Sequence, residues 1–247
     1  MKKIIYLAVL TVTLFSMSAF AQDTKMSKDE AMKKDEAMKK DATMMKDGAM
    51  KKDDAMKMEM AKFVSVEDAA KTALNVGAKM PEFTLGDSLG KMVSSKDLLA
   101  QGNLVVVFYR GAWCPFCNKY LHQLQQSLPQ IKENGGNLVA ISVENPDRSM
   151  DIAKKNELEF TVLSDPNLTV ARSFGIVYQL SDATNEKYKG YGIDLAKYNS
   201  TEKAELPISA TYIVNKKSEI VYAYIEPDYK KRAEPAALIE TLAKLKK

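Results

Sequence analysis

Cysteine is nearly absent from this 247-residue chain: Cys114 and Cys117 are the two it has, and His122 is its one histidine. Two cysteines that close together span too short a loop to staple a fold, so their value lies in reactivity or in metal binding. A single histidine cannot complete a zinc site with two cysteines unless carboxylates join it. Excess charge of one sign is missing as well. The formal net charge is +4, and Lys2 and Lys3 carry two of those charges, so nothing favours nucleic acid or an anionic membrane as a partner. Past the first residues there is no apolar run long enough to cross a bilayer. Residues 22–62 also lack aromatic and β-branched aliphatic side chains, and such a stretch cannot build a core.

What is present divides the chain into three parts. Residues 1–21 read as a signal peptide: Lys2 and Lys3, an apolar stretch over 4–15, then Ala19-Phe-Ala21 as a cleavage site. That predicts an exported protein, periplasmic if the source is Gram-negative, with no membrane span after cleavage. Residues 22–62 are a low-complexity tract of Met, Lys, Asp, Glu and Ala, with Met32, Met38, Met44, Met50 and Met56 at six-residue intervals. On a helix each such step advances about 240° net, so the methionines form no single stripe. The tract reads as a disordered tether; the other reading is thioether binding of Cu(I), which soft sulfur suits. Residues 63–247 have the length of one domain.

Within that domain, strand-like and helix-like patterns alternate. Residues 104–109 form a continuous apolar run, hence a buried strand, and 115–133 carry Tyr120, Leu121, Leu124, Leu128 and Ile131 at helical spacing up to a stop at 134–136. A strand over 137–143, a helix over 147–157, a short strand over 160–163 and a short helix over 168–174 follow. After a Tyr- and Gly-containing insertion over 180–205 come strands over 208–214 and 220–225, joined as a hairpin, and a last helix from about 234. The β-α-β-α-β order followed by a hairpin and a helix predicts a three-layer α/β/α sandwich with a mixed sheet. Ligands of such sheets bind beyond the carboxyl ends of the strands, where Cys114 lies. Cys114 then sits at a helix N-terminus, whose free amides and dipole stabilise a thiolate.

The topology with Trp113-Cys114-Pro-Phe-Cys117 after the first core strand resembles the thioredoxin fold. More narrowly, it is similar to the alkyl hydroperoxide reductase/thiol-specific antioxidant group, the peroxiredoxin-like branch. The likeness covers nearly all of 76–247 and is carried by VGAKMPEFTLGDSLGKMVSSKDLL, LVVVFYRGAWCPFCNKYLHQL, NLVAISVENP, FTVLSDPNLTVARSFGI and ISATYIVNKKSEIVYAY. The first of these is similar to that group's N-terminal hairpin extension. The resemblance implies a thiol-dependent peroxidase acting on hydrogen peroxide or organic hydroperoxides. Cys114 would be the attacking thiolate, Cys117 would condense with the resulting sulfenic acid, and an external dithiol protein such as thioredoxin would reduce the disulfide. It implies neither a cofactor nor a metal, and because dimers are common in the group it leaves a homodimer open.

Arg110 is placed to offer positive charge to the thiolate, and Trp113, Phe116 and Ser209 are the candidate substrate contacts. The chain departs from the group's pattern twice. Gly111 stands three residues before Cys114, where Thr or Ser is usual, and Ser209 stands at the start of the late strand, where Arg is usual and thioredoxins have a cis-proline. His122 reads as a surface residue of the helix. Glu144 reads as a solvated loop carboxylate, with a buried proton relay as its alternative. Tyr178, Tyr188, Tyr191 and Tyr198 form either a lid over the thiols or a packed excursion. Two other function classes stay open at this point: an exported thioredoxin-like thiol–disulfide oxidoreductase, and a copper-binding protein using Cys114, Cys117 and the methionine tract.

Overall fold

A strand buried along its whole length needs neighbours on both edges and cover on both faces, and residues 103–109 have all of these. The computed structural model describes residues 63–246 other than 200 and 202; the expected signal peptide and tether lie outside them. In chain order the elements are α1 (Val66–Thr72), β1 (Thr84–Asp87), β2 (Met92–Ser94), α2 (Ser95–Ala100), β3 (Asn103–Tyr109), α3 (Pro115–Glu133), β4 (Gly136–Ser142) and α4 (Pro146–Lys155). They continue with β5 (Thr161–Ser164), α5 (Thr169–Ser173), β6 (Val177–Gln179), α6 (Asp182–Gly190), α7 (Leu195–Asn199), β7 (Glu205–Pro207), β8 (Thr211–Val214), β9 (Ile220–Tyr224) and α8 (Pro235–Leu245). Seven strands form one sheet in the order β2-β1-β5-β4-β3-β8-β9. β3, β4 and β5 run parallel, while β8 and β9 on one side and β1 and β2 on the other add antiparallel neighbours.

Successive side chains of β3 point to opposite faces and nucleate two cores. Leu104, Val106 and Phe108 pack with Leu98, Val170, Phe174, Leu195 and Tyr212, which places α1, α2, α5 and α7 on one face. Val105, Val107 and Tyr109 pack with Leu121, Leu124, Ile152, Leu238 and Leu242, which places α3, α4 and α8 on the other. The sandwich is therefore three-layered with a mixed sheet, as the sequence predicts. Phe174 is fully buried, edge-on to Phe108 at 5.0 Å between ring centroids and 5.1 Å from Tyr212. Phe174→Ala should destabilise the fold by about 3–5 kcal/mol in urea denaturation, since the cavity left in a layered core collapses poorly.

The N-terminal hairpin is present as β1 and β2. Its turn is fixed by Asp87, whose Oδ1 accepts from the amides of Leu89 and Lys91 at 2.9 Å each, and by Gly90 at φ +80°. Three features differ from the expectation. The run over 208–214 is not one strand: Pro207 has no amide to donate, and residues 205–207 pair instead with β6 in a separate two-stranded ribbon. The chain then bends, with the Ala210 amide donating to the Ile208 carbonyl at 2.7 Å, before β8 begins. The insertion holds α6 and α7. α6 buries none of its residues and so leaves no apolar period to read. α1 is short and starts on a Ser65 cap whose Oγ accepts the Asp68 amide. Among the described residues no helix is long and apolar enough to cross a membrane.

Candidate active site

Beyond Tyr109 the chain leaves the carboxyl edge of β3 through residues 110–113 and enters α3. Gly111 adopts φ +148°, a conformation that side-chain-bearing residues rarely take. A Cβ there would lie 2.8 Å from Cδ1 of Trp113 and 2.9 Å from Cδ of Glu144. The space the absent side chain leaves is filled by an indole and a carboxyl group. This is the physical reason for glycine at a position where the resembled group has a hydroxyl residue.

The loop is pinned from three directions. The Ala112 amide donates to Oε2 of Glu144 at 2.6 Å, Nδ2 of Asn118 donates to the Ala112 carbonyl at 2.9 Å, and the Cys114 amide donates to the Gly111 carbonyl at 3.1 Å. Cys114 is the N-cap residue of α3 and Pro115 its first helical residue, where a missing N–H leaves no intrahelical bond unmade. The amides of Cys117 and Asn118 both donate to the Cys114 carbonyl at 3.1 Å, so the two sulfurs share the first helical turn. Both cysteines are free thiols, and both are buried.

The surroundings of the two sulfurs pull in opposite directions. The Cys117 amide does favour an ionised Cys114, as a helix start should. Hydrogen bonding to Cys117 and then burial outweigh it, and they push the Cys114 thiol up. Burial also opposes ionisation of Cys117, but there the balance reverses. Hydrogen bonding with Cys114, the positive charges of Arg232 and Arg110, and the Arg110 amide together bring Cys117 down to about 6. Nη2 of Arg232 lies 3.3 Å from Cys117 Sγ. The two thiols titrate as a coupled pair, so the first proton leaves more easily than the second.

Arg232 has no counterpart among the sequence-derived site residues. It lies 115 positions from Cys117, in the link between β9 and α8, and in the sequence it is one more cation after Lys230 and Lys231. Its guanidinium is held by the carbonyls of Tyr229 and, at 2.7 Å, Lys231. A cavity of about 430 Å³ opens beside it, lined by Phe116, Lys119, Tyr120, Tyr224 and Lys231 among others. Arg232→Gln should return Cys117 toward the ordinary thiol range. Iodoacetamide alkylation of Cys117 at low pH should then slow by about tenfold; an unchanged rate would show that Arg232 does not hold the charge.

Arg110 is buried and stacked among three aromatic rings, with its guanidinium carbon 4.0 Å from the Tyr229 centroid, 4.9 Å from Trp113 and 5.7 Å from Tyr188. Its Nη2 donates to the Tyr188 hydroxyl. The charge expected to face the thiols is therefore there, and its field reaches both sulfurs. Trp113 meets Tyr188 edge-on at 5.5 Å, and Phe116 meets Tyr229 at 5.7 Å. Of the insertion tyrosines, Tyr178 and Tyr188 face Arg110, whereas Tyr198 stacks under Arg148 at 3.6 Å and Tyr191 is exposed.

Ser209 is buried in the bend before β8, and its hydroxyl has no partner among the described residues. His122 is exposed and pairs with Gln126 at 3.1 Å. Glu144 is not a solvated loop carboxylate but completely buried, because it turns inward to receive the Ala112 amide. Among the described residues no cluster of three or more His, Cys, Asp or Glu side chains is arranged to hold a metal; the methionine tract lies outside them.

A dithiol in the first turn of the helix that follows a fully buried interior strand of an α/β/α sandwich defines a thioredoxin-like thiol protein. The family model of the AhpC/TSA family matches residues 76–223, and the chain belongs to that family. Peroxiredoxin Bcp of Escherichia coli (strain K12) is 32% identical over 103 residues, which cover 42% of this chain and 65% of that protein. The chain thus spans just under two thirds of the length of that relative. Alkyl hydroperoxide reductase E of Mycobacterium tuberculosis is 31% identical over 114 residues, covering 45% of this chain and 74% of that protein. In three dimensions the chain resembles peroxidoxin BcpB from Mycobacterium tuberculosis with a TM-score of 0.56 at 19% identity, over 70% of this chain and 98% of that one. That likeness shows a common fold.

Proposed function

We propose that this protein is a thiol-dependent peroxidase that reduces hydrogen peroxide or organic hydroperoxides through its Cys114–Cys117 pair. The observation that carries the reading is the buried Cys114–Cys117 dithiol at the start of α3, with Nη2 of Arg232 3.3 Å from Cys117 Sγ, in a chain of the AhpC/TSA family. The thiolate is the nucleophile toward the peroxide O–O bond. The sequence places it on Cys114; we assign it to Cys117, the sulfur that the Arg232 guanidinium reaches. Attack leaves a sulfenic acid on Cys117 and releases water or an alcohol. Cys114 then condenses with the sulfenic acid, expelling water and forming the disulfide, which an external dithiol protein such as thioredoxin reduces. Arg110 and Arg232 hold negative charge at the reacting sulfur, and Trp113 and Phe116 line the approach. The unpartnered hydroxyl of Ser209 offers a polar contact for substrate.

Family membership favours this reading over general disulfide exchange and over copper binding. Lys2 and Lys3, the apolar residues 4–15 and Ala19-Phe-Ala21 support export of the enzyme, which the mature N-terminus of the secreted protein would check. The reaction itself is tested by adding one equivalent of hydrogen peroxide to the reduced protein. Rapid loss of the peroxide with formation of one Cys114–Cys117 disulfide, reversed by a thioredoxin system, is expected. Slow peroxide consumption alongside rapid insulin reduction would overturn the reading in favour of disulfide exchange.

A further inference from the structure

Among the described residues two acids are buried, Asp165 and Glu144, and they differ in how they are satisfied. Both oxygens of Asp165 accept amides, from Val170 at 3.0 Å and Ala171 at 2.8 Å, and the group fixes the start of α5. Glu144 uses only Oε2, on the Ala112 amide of the thiol loop. Its Oε1 is buried without a hydrogen-bond partner, as is Nε1 of Trp113, and both side chains crowd Gly111. A buried carboxylate with one unpaired oxygen is poorly stabilised as an anion. We propose that Glu144 stores the proton that peroxide reduction at the Cys114–Cys117 pair consumes, taking it up when the pair is reduced and releasing it as the disulfide forms. The proposal rests on the peroxidase reading and adds the source of the proton.

The groups facing Glu144 come from every element around it. Burial comes first and raises its pKa to about 7. Cys117 on α3 and Asp151 on α4 act in the same direction, while the Ala112 amide and Arg148 on α4 act against it. Tyr109, at the end of β3, is itself held neutral, chiefly by its burial. The Cys117 contribution is the one that changes during turnover, because a disulfide has no charge. Oxidation of the pair therefore lowers the affinity of Glu144 for its proton.

The reaction balances on these groups alone. A Cys117 thiolate, a Cys114 thiol, a protonated Glu144 and a hydroperoxide give one disulfide, one alcohol, one water and a Glu144 carboxylate. Two electrons pass from the two sulfurs to the O–O bond. The Cys114 proton and the Glu144 proton end on the departing oxygens. Reduction of the disulfide returns the thiolate charge, and Glu144 is reprotonated.

The test uses the full protein and diamide, an oxidant that accepts two electrons and two protons while converting a dithiol to a disulfide. Near neutral pH, where Glu144 holds its proton in about half of the reduced molecules, the wild-type protein should take up clearly less than one proton per disulfide, since Glu144 supplies part of the two that diamide needs. Glu144→Gln protein should take up one proton per disulfide formed, measured with a pH indicator. In infrared difference spectra the wild type should lose a protonated carboxyl band on oxidation, shifted by carbon-13 glutamate and absent from Glu144→Gln. Uptake of one proton by the wild type, or a carboxyl band unchanged by oxidation, would overturn the proposal. The labelled wild-type spectrum decides the matter even if the variant folds poorly. Because diamide replaces peroxide, this outcome is separable from failure of the peroxidase reading, which would show as slow peroxide loss.

Discussion

Cys117→Ser protein should form no sulfenic acid with stoichiometric peroxide, whereas Cys114→Ser protein should form it on Cys117 and stop there. Dimedone trapping followed by mass spectrometry separates the two. Hydrogen bonding with Cys114 and the nearby Arg232 and Arg110 charges, acting against burial, lower the Cys117 pKa, so at pH 7 it is more ionised than an ordinary thiol, of which only a few per cent is thiolate. Serine at 117 replaces that thiolate with a hydroxyl that does not ionise near neutrality. The expected loss in the peroxide rate constant is on the order of 10³-fold or more. Serine at 114 still offers a hydroxyl donor to Cys117, so most of the first turnover should survive, but no disulfide can close.

The pH dependence has a definite sign. A thiol whose pKa is lowered reacts as the anion, so the wild-type rate should be flat above the Cys117 pKa and fall as pH drops through about 6. Trapping on Cys114 in the Cys117→Ser protein, at the wild-type rate, would place the attack on the other sulfur.

The second large effect is expected at Gly111. Gly111→Ala puts a Cβ into contact with Trp113 and within 2.9 Å of the Glu144 carboxyl carbon, at φ +148°. Neither neighbour has room to yield: Glu144 is buried and bonded to Ala112, and Trp113 lies against Tyr188 and Arg110. Backbone strain and overpacking together should destabilise the fold by about 2–4 kcal/mol in urea denaturation. Because the strain falls on the loop that sets the two sulfurs, the peroxide rate should also drop by about tenfold or more at temperatures where the variant stays folded, as misplaced reacting groups do. A loss of under about 0.5 kcal/mol, typical of an unconstrained surface site, would show that Gly111 does not set the loop.

How far the sequence carries depends on whether a feature is written locally. β3 and α3 are legible because seven consecutive buried residues and a helical period of apolar ones each leave a direct trace. The N-terminal hairpin is legible through Asp87 and Gly90. Cys114 and Cys117 are legible as a reactive pair because they lie at the junction of those two elements. Which of them carries the charge is not, because the deciding groups come from afar. Arg232 reaches Cys117 from the link before α8, and the Cys114 thiol donates only after the first turn of α3 has closed. The helix start alone favours the N-cap sulfur Cys114, whereas Arg232, 3.3 Å from Cys117 Sγ, favours the other. The place of Glu144 after a strand points to a solvated carboxylate, whereas the Ala112 amide sets its direction. The break at 208–210 was hidden by an apolar run in which Pro207 alone signals that the ladder stops.

Burial of both sulfurs sorts the two partners of the catalytic cycle by size. A peroxide is small enough to slip between side chains, but the face of another protein is not. On the proposed reaction, the oxidising half could run on the closed structure, while the restoring half would need the start of α3 to open and present a sulfur. Regeneration, rather than peroxide attack, would then set the pace at saturating oxidant, with the opening frequency of that turn as its ceiling. Deuterium uptake by the amides of Cys117 and Asn118 would report that frequency directly.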